Sequence, residues 1–545
     1  MPLQGTGAGV LRLRAARFLD HPARVHVFAW GAPLGTFEAL PGGYRVYALP
    51  VTAGRGPLRL ELVADDPELA VAVDWVRVDG LAWRLPLRVW GPRVLVAGVF
   101  VLALLAGFGT RAAAAAAAAV ALAEAAWMAV DPFAAAHALA RLALPAVLLA
   151  ALVAGLGRRW ERGRWLPLVF LAGYLLKGAA LFHPTYFYND VRNNLRYVLA
   201  LREGEGSLAE RNHAAQVKVG VAYPRIVGGR KYAFPYAPVF FLPFGALPEE
   251  RIVEAIKHVA LFCAAAEAVA VFALGRLVLG SGTALAASVV AVLLPPLYSR
   301  LLLAMWSTVA GHFLDLLSIL AATAMALRPE SARRWLGQAA ATLAAFLTYI
   351  SSLFNLTLFA GWSALLCRHL AGRLLAGWAL ALAVTLAWLY ADFVVVFLRE
   401  ILPAALGGQR MAAEADAGQG GLREALRRIP IFYGWGFPAL AVAGFVLLRR
   451  RAAAPAFRVV TAYALSVATL FALRAFGGGL FRDLKEIEFA APLVALCAGA
   501  ALADVAGRGR QGAWAAGLLF AGLAASSASR YAEYLRASAS LLGLG

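Results

Sequence analysis

Charged side chains are scarce in this sequence. They make up 15% of its 545 residues, against 62% hydrophobic, and mean hydropathy is +0.71. A soluble globular chain carries about 25% charged residues, so an ordinary soluble domain is excluded. Cysteine is scarcer. The three, Cys263, Cys367 and Cys497, lie in or at the ends of apolar runs without metal-ligand spacing. That excludes a disulfide framework or thiolate metal site and leaves them as small packing residues. A P-loop, a Rossmann glycine pattern and a soluble domain large enough for a nucleotide are all missing, and a nucleotide-sugar site goes with them. The apolar runs lack the short alternating strands of a membrane barrel. Acids are in deficit too, 31 against 51 Lys and Arg, for a net charge of +20. That surplus does not indicate nucleic acid, because the arginines sit mainly between apolar runs. There they set topology and meet anionic lipid.

What remains is a polytopic all-α membrane protein. Apolar runs long enough to cross about 30 Å of hydrocarbon recur along the chain. About fourteen spans are expected, near 92–110, 112–130, 136–157, 165–182, 252–276, 281–298, 306–327, 335–351, 353–368, 373–398, 431–449, 457–475, 488–505 and 512–527. PYAPVFFLPFGAL (235–247) is short and proline-broken, and reads as re-entrant or interfacial. Alternate short loops carry the arginines: Arg111, Arg158–Arg164, Arg276, Arg328–Arg334, Arg368, Arg373, Arg449–Arg458, Arg508 and Arg510. By the positive-inside rule that side is cytoplasmic. The opposite, extracytoplasmic side then holds loop 183–251, loop 399–430, loop 476–487 and the tail 531–545. A bacterial inner membrane fits the Ala-, Arg- and Gly-rich composition.

Residues 1–88 differ from the membrane domain, 89–530. RVHVFAW (24–30), YRVYALP (44–50), PLRLELVADD (57–66) and AVAVDWVRVDG (70–80) roughly alternate and are punctuated by Gly, Pro and Asp. They predict a small extracytoplasmic β-sandwich, jelly-roll-like, either a carbohydrate-binding module or a structural cap. Residues 1–20 hold Arg12, Arg14 and Arg17 and no apolar signal core. An exported domain therefore leads one to expect an upstream apolar helix in the full reading frame.

Chemistry concentrates where the fourth run ends, in LFHPTYFYNDVRNNLRYVLALR (181–202). Asp190 stands at the water–lipid boundary after Tyr186 and Tyr188. Arg192 and Arg196 follow, four apart on one helix face. An acid there can take a proton from a hydroxyl, and arginines can hold a phosphate. The plainer alternative is that Asn189 and Asp190 cap a helix.

AYPRIVGGRKYAFPYAPVFFLPFG (222–245) comes next. An acid after the first core span, a long loop, a Gly- and Tyr-containing stretch and a Tyr-Pro-rich aromatic segment together resemble the GT-C glycosyltransferases. The sequence is most similar there to the polyprenol-phosphate-mannose-dependent α-mannosyltransferases, over roughly residues 165–300. The resemblance implies a multi-helix membrane fold, a polyprenyl-phosphate sugar donor and a glycan, lipid or protein acceptor on the outer face. It also implies that Asp190 is the general base. Many of these enzymes carry a pair of acids where this chain has Asn189-Asp190, so base catalysis is expected rather than metal binding. No cofactor is expected; a divalent metal is compatible with the reading but not indicated.

Other polar residues extend the expected site. Lys177, His312, Asp315 and Asp392 lie at similar depths, roughly 8–14 Å below the outer boundary at 1.5 Å per residue. Ionisable groups in spans usually face a cavity or a partner. They are expected to line a pocket for sugar and carrier, with internal pairing, such as Lys177 with Asp392, as the alternative. Glu124 and Arg141 read as a structural pair, and Glu267 lies too deep for the pocket. Arg482 and Lys485, in a late external loop, would bind carrier phosphate on the strength of the resemblance. Tyr186, Tyr188, Tyr232 and Tyr236 would line the sugar site. The expectation is inverting transfer of a hexose or pentose from polyprenyl phosphate. A flippase for lipid-linked saccharide and a non-catalytic envelope assembly protein are the rivals. A flippase would show internal repeats, and none is evident.

Overall fold

The computed structural model describes residues 4–6, 8–17, 21–29, 31–52, 60–65, 71–80, 82–84, 90–183, 186, 188–219, 225–227, 230–232, 237–391, 394, 398–399, 422–476 and 486–540. The N-terminal part is a β-sandwich. Its strands are β1 (Gln4–Thr6), β2 (Ala8–Arg17), β3 (Ala23–Ala29), β4 (Ala32–Ala39), β5 (Arg45–Thr52), β6 (Leu60–Ala64), β7 (Val71–Asp79) and β8 (Ala82–Arg84). Antiparallel sheets β5-β2-β7 and β4-β3-β6 face each other, and β1 pairs with β8. Strand β2 shows why. Leu11, Leu13 and Ala15 are buried and alternate with exposed Arg12, the period-2 pattern of a half-buried strand. Leu11, Leu13, Val25, Val27 and Phe37 share the core. The stacked rings of Phe37 and Tyr47, 4.2 Å apart, join the two sheets. Among the described strands the sheets are three-stranded, where a jelly roll builds two larger ones from eight strands.

The rest is helical: α1 (Trp90–Leu105), α2 (Thr110–Val130), α3 (Pro132–Gly157), α4 (Leu166–Leu181), α5 (Asn189–Glu203), α6 (Leu208–Val219), α7 (Glu249–Leu279), α8 (Ser281–Leu293), α9 (Pro295–Leu302), α10 (Trp306–Leu327), α11 (Ala332–Thr348), α12 (Ser351–Leu366), α13 (Ala371–Thr385), α14 (Leu422–Tyr433), α15 (Gly436–Arg451), α16 (Ala454–Phe476), α17 (Glu486–Ala506) and α18 (Arg510–Ser540). This is a multi-pass membrane protein. Among the described residues ten helical stretches are long and apolar enough to cross a bilayer, three of them by joining consecutive pieces (Gly163–Leu181 through α4, Ser281–Leu302 through α8 and α9, Arg368–Tyr390 through α13), and α14 with α15, bent by 101°, make an eleventh at most.

Every expected span overlaps a helix, but the count of fourteen is not reached by length. Helices α1 and α12 have 16 residues each, about 24 Å at 1.5 Å per residue, short of the hydrocarbon thickness. Helix α11, with 17 residues, spends part of its length on Arg333, Arg334 and Gln338. Segment 237–247 forms no long helix but a 3-10 turn, Leu242–Ala246, with Phe240, Phe241 and Phe244 buried.

Small residues set the closest helix approaches. A Cβ on Gly444 of α15 would fall 1.8 Å from the Cys497 carbonyl oxygen of α17. One on Gly499 would fall 2.3 Å from Ala287 Cα of α8. Such crossings replace the hydrophobic drive that is missing between helices in lipid.

The helix ends sort into two groups. At one end Lys257 of α7 donates to the Leu181 carbonyl at 3.1 Å, Tyr531 of α18 donates to Leu293 at 3.0 Å, and α9 meets α17 through Arg300 and Glu488. At the other, Arg158 donates to Leu105 at 3.0 Å and Arg451 pairs with Asp504. Helices α5, α6, α9 and α14 all belong to the first, here called the α5 end.

Candidate functional site

Helix α5 begins immediately after Tyr188, whose backbone is extended (φ −148°, ψ 144°) and supplies no side-chain cap. Asn189 and Asp190 therefore lie inside the first turn. This removes the capping alternative, because a cap residue stands outside the helix. The Asp190 carboxylate accepts a hydrogen bond from Asn193 Nδ2 at 3.1 Å, one turn on. Burial pushes its pKa above the usual aspartate value of 3.8, and the Asn193 hydrogen bond partly opposes that. A half-buried carboxylate with a raised pKa is a better proton acceptor than a solvated one.

The inner face of α5 is pinned to the turn after α9. Asn194 Nδ2 donates to the Ala304 carbonyl at 2.8 Å. The Tyr186 hydroxyl lies 3.2 Å from the Leu301 carbonyl and 3.0 Å from that of Leu302. Ala304 itself sits at φ 52°, a left-handed conformation uncommon for a residue with a Cβ. Tyr197 bonds to Asn212 of α6 and packs edge-on against Phe241, ring centroids 5.1 Å apart. The aromatic segment after the loop thus supports α5 from beneath. Lys257 covers the Tyr186 ring at 4.6 Å.

Next to this stands a cluster of buried charges. Arg300 of α9, 6% exposed, is held by Glu488 of α17, 0% exposed. It lies over the Phe432 ring at 5.8 Å. Glu486 is held by Arg428 of α14 at 2.7 Å and by Arg474 of α16 at 3.4 Å. Tyr188 links the cluster to Asp190. Burial raises the pKa of its phenol, the Asp190 charge raises it further, and the Arg300 charge opposes both. One aromatic ring is therefore within electrostatic reach of both an acid and a cation.

Arg192 and Arg196 lie on the exposed face of α5. The backbone of Tyr232 is in a short hairpin, β9 (Arg225–Val227) with β10 (Arg230–Tyr232), opposite Arg225. Tyr236, Asp392, Arg482 and Lys485 fall outside the described residues. The remaining expected residues sit elsewhere. Lys177, 1% exposed, donates to the Ala264 carbonyl at 2.9 Å, and the carboxylate acting on it is Glu267. His312 and Asp315 are 2% and 1% exposed, 3.3 Å apart on α10. Arg141 pairs not with Glu124 but with Glu254, at 3.4 Å. Glu124 lines a groove between α1 and α2 with Arg93 and Phe100. Among the described residues no group of three or more His, Cys, Asp or Glu stands close enough to hold a metal.

Arg300, Lys257 and Glu488 were not legible as site residues. A signal for Arg300 existed: it follows PPLYS at the close of an apolar run, where an ionisable side chain usually faces a partner.

Three solved structures are similar in arrangement. The Archaeoglobus fulgidus oligosaccharyltransferase in complex with zinc and sulfate has 13% identity and a TM-score of 0.44, over 68% of this chain and 52% of that one. The archaeal oligosaccharyltransferase AglB from the same organism, in complex with an inhibitory peptide and a dolichol-phosphate, has 13% identity and a TM-score of 0.42, over 70% and 56%. ArnT from Cupriavidus metallidurans, bound to undecaprenyl phosphate, has 17% identity and a TM-score of 0.41, over 66% and 62%. The chain thus matches between about half and three-fifths of the length of these structures. No family model matches, and no curated protein matches.

Proposed function

We propose that this protein is a membrane glycosyltransferase that moves a hexose or pentose from polyprenyl phosphate to a hydroxyl on a glycan, lipid or protein acceptor. The observation that carries the reading is Asp190. Its carboxylate is half-buried in the first turn of α5 with a raised pKa, and its charge and that of Arg300 both act on the Tyr188 phenol. In the proposed step Asp190 takes the proton of the acceptor hydroxyl. The acceptor oxygen bonds to the anomeric carbon with inversion, and the bond from that carbon to the phosphate oxygen breaks. The carrier leaves as a phosphate whose charge is met by Arg192, Arg196, Arg482 and Lys485, as preorganised cations stabilise charge that develops in a transition state. Tyr188, Tyr232 and Tyr236 offer aromatic faces to the sugar, while Tyr186, under Lys257 and bonded to the turn after α9, holds the start of α5 in place. Lys177, His312 and Asp315 are enclosed by helices and stand outside this step. Asp392 keeps its proposed place in the pocket.

The arginines of the opposite bundle end, among them Arg158, Arg276, Arg451 and Arg508, support an extracytoplasmic α5 end by the positive-inside rule. The test is transfer in membranes supplied with labelled polyprenyl-phosphate sugars. The expected result is label in an acceptor with wild type and none with D190N. Transfer that persists in D190N removes the base, and label crossing the membrane without transfer replaces the enzyme with a flippase.

A further inference from the structure

Most buried charges in the bundle are matched; among the described residues the carboxylates of Glu124 and Asp315 pair with no Lys or Arg. Glu267 acts on Lys177, Glu488 holds Arg300, and Glu486 holds Arg428 and Arg474. Asp315 of α10, 1% exposed, meets no Lys or Arg among the described residues. Its Oδ2 lies 3.3 Å from His312 Nδ1 and accepts from Asn355 Nδ2 of α12 at 3.0 Å. Asp315 Oδ1, Asn355 Oδ1, Ser352 Oγ and His312 Nε2 are buried without a hydrogen-bond partner among the described residues. Ser352 and Asn355 are each 0% exposed.

The spacing brings these atoms onto matching faces. His312 with Asp315 and Ser352 with Asn355 are both three residues apart, so each pair follows one helix face, and Asn355 joins the faces by its bond to Asp315. Above them Gly311 packs so closely that a Cβ would lie 2.3 Å from Tyr349 Cβ, and the Tyr349 ring stands 5.5 Å from His312. The phenol of Tyr463, on which the Asp315 charge also acts, has its hydroxyl committed to the Phe489 carbonyl.

Two requirements must be met here together. One carboxylate charge is costly in a water-free span, and three buried oxygens need partners. A proton on His312 meets the first and leaves the oxygens bare. Water meets the second and leaves the charge. A divalent ion would overshoot the single carboxylate. Hard cations take oxygen ligands, and a small monovalent one satisfies both requirements. We infer that Asp315, Asn355 and Ser352 form an internal binding site for a monovalent alkali cation, with His312 beside it. The inference does not depend on the transferase reading.

The test uses the full chain in detergent. Thermal unfolding is followed in sodium, potassium and choline chloride at equal ionic strength, and retention of radioactive sodium is measured. The site predicts a melting temperature about 2–4 °C higher in one alkali chloride than in choline, with one ion retained per chain. Both signals vanish in D315N and weaken in S352A. Should D315N not fold, N355L and S352A decide, since either must lower ion affinity. Equal melting in all three salts overturns the site, as does alkali binding that survives in these variants. So does a melting temperature that ignores the cation but follows pH and loses that dependence in H312Q, because then the proton on His312 balances Asp315.

Discussion

Arg300 and Glu488 meet across 188 residues of sequence, the guanidinium of α9 against the carboxylate that opens α17. Both are buried, at 6% and 0% exposure. The pair therefore locks the turn beneath α5 to the far half of the bundle. Removing one partner strands a buried charge, which costs about 3–5 kcal/mol, whereas replacing both with apolar residues is often neutral. E488L and R300M alone should lower the melting temperature steeply, and R300M/E488L should recover most of the loss. A double variant no more stable than the singles would show that the pair does not act as a unit.

The raised pKa of Asp190 gives activity and stability opposite signs. A base works ionised, so kcat/KM should fall on the acid side at a pH above the ordinary aspartate range. Asn193 bonds the charged form, so N193A should move that limb to higher pH. Burial opposes ionisation in the folded state, and the folded pKa exceeds the unfolded one. Ionisation of Asp190 therefore detracts from stability once pH rises above the unfolded value. At neutral pH, D190N should melt no lower than wild type while losing at least about a hundredfold in rate, the lower end for a general base. A rate loss accompanied by lower melting would assign Asp190 a structural role instead.

Asn194 and Tyr186 position α5 without presenting a base. N194A leaves the Ala304 carbonyl without its buried donor, worth about 1–3 kcal/mol, and Y186F removes one hydrogen bond shared between two carbonyls, worth about 0.5–1.5 kcal/mol. Both variants should lower kcat through misplacement of Asp190, yet leave the pH limb where it is. A shift of the limb in Y186F would place its hydroxyl in the proton chemistry.

Much of this was legible and some was not, for physical reasons. Apolar runs announce helices because lipid forces every backbone group to bond within its own segment. Hence each expected span met a helix, and the aromatic segment at 237–247, with its prolines, holds only a 3-10 turn. Alternation around Leu11 and Leu13 announced a strand. Pairings between distant segments carry no such mark. Depth along a helix placed Lys177 level with Asp392, but the facing helix decides a partner, and α7 offers Glu267 and the Ala264 carbonyl. The same limit hid Arg300 and Glu488, which are 188 residues apart. His312 and Asp315 were placed by depth alone, and their rotation on α10 turns Asp315 toward Asn355.

The close crossings give the last prediction. At Gly444 a Cβ would lie 1.8 Å from the Cys497 carbonyl oxygen, and at Gly499 2.3 Å from Ala287 Cα. Backbone cannot yield there as a flexible side chain can, so α15 or α8 must move away from α17. Overpacking of this kind costs about 1–3 kcal/mol or more. Helix α17 opens with Glu486 and Glu488, so the displacement is transmitted to the charge cluster beside Asp190. G444A and G499A should therefore reduce both the yield of folded protein and the rate. Gly361 of α12 is the control, since nothing lies within 4 Å of the point a Cβ would occupy there. At that position alanine should be neutral or stabilising by up to about 1 kcal/mol. If G444A and G361A melt alike, the tight contact with Cys497 does not hold α15 against α17.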